Sequence, residues 1–147
     1  METSTQAATR PDRKTFARFL PPIARIMLAL ILLLFGLNGF LQFMPPPKDM
    51  PQNIMNIMGA LMQAGYLQVV SGTMVLVGLL LLINCFVPLA LALLAPIIVG
   101  ILTFHIRMAP STIGPGIVVL LLELYLAWAY RDAFRAMLKA RVSHGVK

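Results

Sequence analysis

The stretch IMLALILLLFGLNGFLQFMPPP, from Ile26 to Pro47, decides the fold class. Its 22 residues contain no Lys, Arg, Asp or Glu. A bilayer core takes about 20 apolar residues in a single helix, so this run is one transmembrane span. Pro45, Pro46 and Pro47 end it, because proline lacks the N–H a helix needs and clashes with the preceding turn. Pro21 and Pro22 suit its start, where a missing N–H costs nothing.

Two further gaps in charge follow. None of the 57 residues from Met50 to Ile106 is charged, and from Met108 to Ala129 the only charge is Glu123. The first gap holds two spans and a connector, and the second holds a final span with one acid inside it. The pattern predicts four spans at about 23–43, 64–83, 87–107 and 113–130. The rest of the composition agrees. Of 147 residues, 59% are hydrophobic and 12% charged, and the mean hydropathy is +0.86. A soluble chain of this length could not bury so much apolar surface, and a disordered one would not contain it. The expected fold is all-α, an integral membrane four-helix transmembrane bundle over residues 20–138. Basic cytoplasmic tails are expected at 1–19 and 139–147.

The basic residues set the expected orientation. Arg10, Arg13, Lys14, Arg18 and Arg25 precede the first span or open it, and Arg131, Arg135, Lys139, Arg141 and Lys147 follow the last. Four spans put both ends on one side, which then holds ten of the twelve basic residues, Lys48 and Arg107 being the exceptions. Both termini are therefore expected in the cytoplasm. The net charge of +7 reads as topology and as attraction to anionic lipid, not as nucleic-acid binding, since no folded domain organises a groove. The first apolar stretch is longer than a signal-peptide core, and no small-x-small cleavage site follows it. Cys85 is the only cysteine, which excludes an internal disulfide or a CxxC pair. His105 and His144 are the only histidines, too few and too far apart for bis-His haem within the chain.

Between the first two spans, Ile54, Met55, Ile57, Met58, Leu61 and Met62 follow helical spacing, with Asn53, Asn56 and Gln63 at polar positions. This predicts a short helix in the outer interface. Met44, Met50, Met55, Met58 and Met62 crowd the same segment. Thioethers bind Cu(I), so outer-face copper handling is a lesser reading; a soft apolar face is the plainer one. No metal site is expected.

Glu123 is the sharpest chemical signal. It lies about eight residues inside the fourth span, roughly 12 Å at 1.5 Å per residue. An acid at that depth should face the bundle interior. Gly116, Leu120, Glu123, Ala127 and Tyr130 recur at about 3.5-residue spacing and form the expected inward seam. Asn38 and Gln42 share a face of the first span, Gln68 is near Ser71 and Gly72 in the second, and Thr103, His105 and Arg107 end the third. Glu123, Asn38, Gln68 and His105 are the expected ligand-binding set of an outward-opening polar pocket. Ordinary interhelical hydrogen bonding is the competing account. Trp128, Tyr125 and Tyr130 match an interfacial aromatic belt. The Gly36–Gly39 and Gly72–Gly78 pairs lack GxxxG spacing and predict close packing only loosely. No nucleophile–base set is visible, so nothing marks a standalone enzyme.

Several segments in order resemble the DoxX family. These are Phe35-Gly36-Leu37-Asn38-Gly39-Phe40, Ala64-Gly65-Tyr66, Phe86-Val87-Pro88-Leu89-Ala90-Leu91, Leu94-Ala95-Pro96-Ile97-Ile98-Val99 with Thr103-Phe104-His105, and Leu126-Ala127-Trp128-Ala129-Tyr130-Arg131-Asp132-Ala133-Phe134. The resemblance covers about residues 20–138. It implies a four-helix protein of the bacterial inner membrane, in a family named for a subunit of a thiosulfate-oxidising, quinone-reducing complex. Related chains often carry Glu near the position of Met74, Arg near that of Cys85 and Asn near that of Gly100. This chain departs at all three, so no catalytic residue is carried over. Asn38 and His105 match commonly polar family positions. The resulting expectation is an accessory component of a respiratory or redox system that binds a quinone, a lipid or another apolar molecule. Expected partners are the bilayer, subunits of a membrane redox complex and a second copy of the chain. The alternative is a structural or assembly subunit with no ligand.

Overall fold

The computed structural model describes residues 13–45 and 50–137. The expected tail segments 1–12 and 139–147, and Lys48, lie outside the described residues. All regular structure among the described residues is helical: α1 (Arg13–Leu41), α2 (Gln52–Gln63), α3 (Tyr66–Leu82), α4 (Val87–Met108), a 3-10 turn (Pro110–Thr112), α5 (Gly114–Ala129) and α6 (Arg131–Met137).

Helix α1 begins earlier than the Pro21-Pro22 start expected from sequence and runs through both prolines. Proline's fixed φ is already helical, so the two residues remove hydrogen bonds to the preceding turn without forcing the chain out of the helix. The helix ends where Gln42 turns left-handed (φ 49°).

Two helical segments, Phe19–Leu41 and α4, are long and apolar enough to cross a membrane. Helices α2 and α3 pass the same test only as a pair, and their axes meet at 74°. Gly65 is the hinge, left-handed at φ 75°, a conformation that costs glycine little. Helix α5 is apolar but shorter, at 16 residues. This is the chemistry of a membrane protein. Side chains such as Phe19, Leu41, Val69, Val99 and Leu121 stay exposed on its outside, as lipid permits and water does not.

The turn from α3 to α4 follows a Schellman pattern. The Cys85 N–H donates to Leu80 O at 2.9 Å and the Asn84 N–H to Leu81 O at 3.2 Å. Asn84 takes the left-handed position (φ 59°), which asparagine tolerates better than most residues. The short turn makes α3 and α4 antiparallel neighbours. Helix α1 packs on α3, α3 on α4, α4 on α5 and α5 on α1. The core inside this ring is built from Leu28 and Leu32, Val77 and Leu81, Leu91, Leu94 and Ile98, and Val119 and Leu126.

The α1–α3 contact is the most extensive, and small residues make it so. A Cβ on Gly36 would lie 3.0 Å from Ser71 O and 3.1 Å from Val75 N. A Cβ on Gly78 would lie 3.1 Å from Ala29 O and 2.9 Å from Leu33 Cγ, and one on Gly39 would collide with Ser71 Oγ. Gly36, Gly39 and Gly78 are therefore sites of close backbone approach, a stronger role than their spacing predicted. The relevant repeat is seven residues, Ala29 to Gly36 on one helix and Ser71 to Gly78 on the other.

Candidate functional site

Asn38, Gln68 and His105 lie toward one end of the ring, where α1 finishes, α3 begins and α4 finishes. Each is engaged first with backbone. Asn38 Oδ1 accepts the Met44 N–H at 2.7 Å, tying the chain just beyond α1 back onto the helix. Gln68 Nε2 donates to Met62 O at 3.1 Å, tying α3 back to the end of α2 across the 74° bend. His105 Nδ1 lies 2.7 Å from Ile101 O in its own helix. A carbonyl can only accept, so Nδ1 carries a proton, and it is Nε2 that is left to meet a further group. Phe104 meets the imidazole edge-on at 5.7 Å.

The end of α1 is tied to the end of α2 by a further contact, Gln42 Nε2 to Met62 Sδ at 3.2 Å. Met62 thus accepts one bond on its sulfur, from the end of α1, and two on its carbonyl, from the Gly65 N–H and Gln68, the latter pair holding the bend. Met55 is exposed, and Met58 and Met62 are half-buried. Ile54, not a methionine, is the buried residue of α2.

Glu123 is buried, 7% exposed, on the inward face of α5. The face differs by about one residue from the expected seam. Gly116, Val119, Glu123 and Leu126 point inward, while Leu120, Ala127 and Tyr130 are half-buried beside them. Among the described residues Glu123 makes no hydrogen bond and no ion pair. No hydrogen bond joins any two of Asn38, Gln68, His105 and Glu123. The first three share one end of the ring, and Glu123 lies more than two turns inside α5 from its start at Gly114.

Among the described residues, two buried side-chain polar atoms have no hydrogen-bond partner, Gln68 Oε1 and Arg25 Nε. Gln68 therefore satisfies its donor and leaves a buried acceptor open. Arg25 counts in the sequence only as an orienting charge, yet it lies inside α1 next to buried Ala24 and one turn from buried Leu28 and Ala29. No group of three or more His, Cys, Asp or Glu among the described residues is placed to hold a metal.

A surface groove lies toward the opposite end of the ring, between α1 and α5. Leu20, Ile23, Ala24, Met27, Leu122 and Tyr125 line it, and its volume is about 270 Å³. Nothing in the sequence pattern singled it out, because its walls come from helices almost 100 residues apart.

Comparison with protein-family models, with curated proteins and with solved structures finds no match to this chain.

Proposed function

We propose that this chain is a DoxX-like protein of a bacterial inner membrane, with four spans and both termini cytoplasmic. In this reading α1, α3, α4 and α5 supply the spans, and α2 lies in the outer interface. The protein acts as an accessory component of a respiratory or redox system and binds a small apolar molecule of quinone or lipid type at its outer end. The observation that carries the reading is the buried, unpaired acceptor Gln68 Oε1. In its neutral form His105 offers Nε2 as a second acceptor at the same end. Two acceptors suit a ligand that donates hydrogen bonds, such as the hydroxyl of a quinol or of a lipid headgroup. Glu123, from deeper in the bundle, and Asn38 complete the set of polar groups such a ligand would meet.

A structural or assembly subunit is the second reading. It is favoured by the backbone bonds that Asn38, Gln68 and His105 already make.

Mass spectrometry of the full chain after gentle extraction separates the two. The ligand reading expects a retained apolar molecule with a hydroxyl donor, lost in Gln68→Leu at a stability cost no larger than about 0.5–1.5 kcal/mol, the worth of the bond to Met62 O. Stoichiometric protein partners with no retained small molecule would establish the assembly reading instead.

A further inference from the structure

The α1–α5 groove has a continuation that makes it more than an apolar hollow. Tyr125, one of its walls, is tilted against Trp128 with ring centroids 6.4 Å apart. The Arg131 guanidinium then sits over the Trp128 ring, 5.0 Å from its centroid. Groove, two aromatic rings and a cation thus follow one another along the end of α5 and the start of α6. Trp128 itself is 64% exposed, so the path lies on the outside of the bundle.

We infer that this path is a binding site for an anionic phospholipid, with an acyl chain in the α1–α5 groove and the phosphate on Arg131. The groove lining is aliphatic apart from Tyr125, which suits a hydrocarbon chain. The guanidinium lies over the Trp128 face and Arg131 is exposed, so its N–H groups are open to a headgroup. Those groups match a phosphate in paired hydrogen bonds, which a point charge such as lysine would not do. Among the described residues Arg131 has no carboxylate partner. The nearby Asp132 is turned to Arg135, at 3.4 Å. The charge on Arg131 is therefore uncompensated within the described protein, and a negative headgroup complements it. An indole and a phenol between chain and phosphate occupy the depth where aromatic rings partition in bilayers. The site is independent of the end of the ring that holds Gln68 and His105.

Trp128 is the only tryptophan in the chain, so the wild-type protein carries its own probe. Full-length protein is reconstituted in phosphatidylcholine vesicles containing either brominated phosphatidylglycerol or brominated phosphatidylcholine, and quenching of Trp128 is followed against mole fraction. The phosphatidylglycerol should reach half-maximal quenching at about threefold lower mole fraction, the scale of one exposed charge-assisted contact. Arg131→Gln should abolish that preference. Arg135→Gln, which removes a charge already paired to Asp132, should retain it. Ala24→Phe fills the groove and should also remove the preference. If that variant does not insert, Leu122→Phe fills the groove from the other wall. Equal quenching by the two lipids in the wild type, or a preference unchanged in Arg131→Gln, would overturn the site. A preference unchanged in the groove-filled variant would overturn the acyl-chain half of it.

Discussion

Gly36 on α1 lies directly against the main chain of Ser71 on α3, so close that a Cβ at Gly36 would stand 3.0 Å from the Ser71 carbonyl oxygen. That contact sets how near the two helices come. In lipid the apolar side chains gain little from leaving their surroundings, and helices associate through close packing of this sort. About two helical turns away, Gly78 and Ala29 repeat the contact in the antiparallel sense.

The first prediction follows from that spacing. Gly36→Ala and Gly78→Ala each force backbone apart and should destabilise the folded protein by about 1–3 kcal/mol. Gly100 is the internal comparison, because a Cβ there meets nothing within 4 Å. Gly100→Ala should be neutral or gain about 0.5–1 kcal/mol from the lower entropy of the unfolded chain. Thermal unfolding of the three variants in one detergent checks the order. Equal losses at all three positions would show that the helices are not held at backbone distance.

Asn38 gives a second prediction, on the stop signal of α1. Its Oδ1 accepts the Met44 N–H just after Gln42 has turned left-handed. Asn38→Ala strands that donor and should cost about 0.5–1.5 kcal/mol, whereas Asn38→Asp keeps an acceptor and should recover most of it. Unfolding temperatures decide. An alanine variant as stable as the parent would mean that the cap carries no weight, and that the polarity of Asn38 serves something else.

These two cases show what could be read in advance and what could not. The helices were legible because charge is excluded from long runs whatever the neighbours are: α4 is helical over Val87–Met108 where 87–107 was expected, and α5 over Gly114–Ala129 where 113–130 was expected. The α1–α3 contact was not legible. Gly36 and Gly78 matter through their partners, and a search for four-residue spacing passes over Ala29–Gly36 and Ser71–Gly78. The inward face of α5 was misjudged for a related reason. Leu120–Ala127 and Val119–Leu126 flank Glu123 with the same heptad spacing, and only packing against the other helices chooses between them. The polar residues were found as types but not as a group. At a helix end the nearest acceptor or donor is backbone, and Asn38 and Gln68 bond there before they can reach one another.

Topology supplies the third prediction. If the proposed four spans hold, with the ten basic residues of the two end regions on one side, the turn at Ser111 lies on the opposite side from the C-terminus. Reporter fusions after Ser111 and after Lys147 should therefore give opposite signals. Same-side signals would mean that α5 does not cross, which its 16 residues make the most informative failure.

Glu123 carries the last prediction. It occupies the inward face of α5 between Val119 and Leu126, and no hydrogen bond or ion pair to a described residue holds it there. The residue is buried although its carboxyl oxygens are not fully enclosed. Holding a polar group there without a protein partner costs free energy, and an apolar side chain of similar size removes that cost. Glu123→Leu should therefore insert normally and match or exceed the parent in thermal stability, by up to about 2 kcal/mol. Glu123→Gln keeps shape and hydrogen-bonding capacity and should fold like the parent. If the carboxyl is kept for a ligand or for proton handling, both variants remain folded while retention of the small molecule falls, most in Leu. If Glu123 instead joined helices through a bond, Leu would be clearly less stable than Gln. That order of stabilities, measured side by side, would overturn the view of Glu123 as a group stored in the bundle for something other than packing.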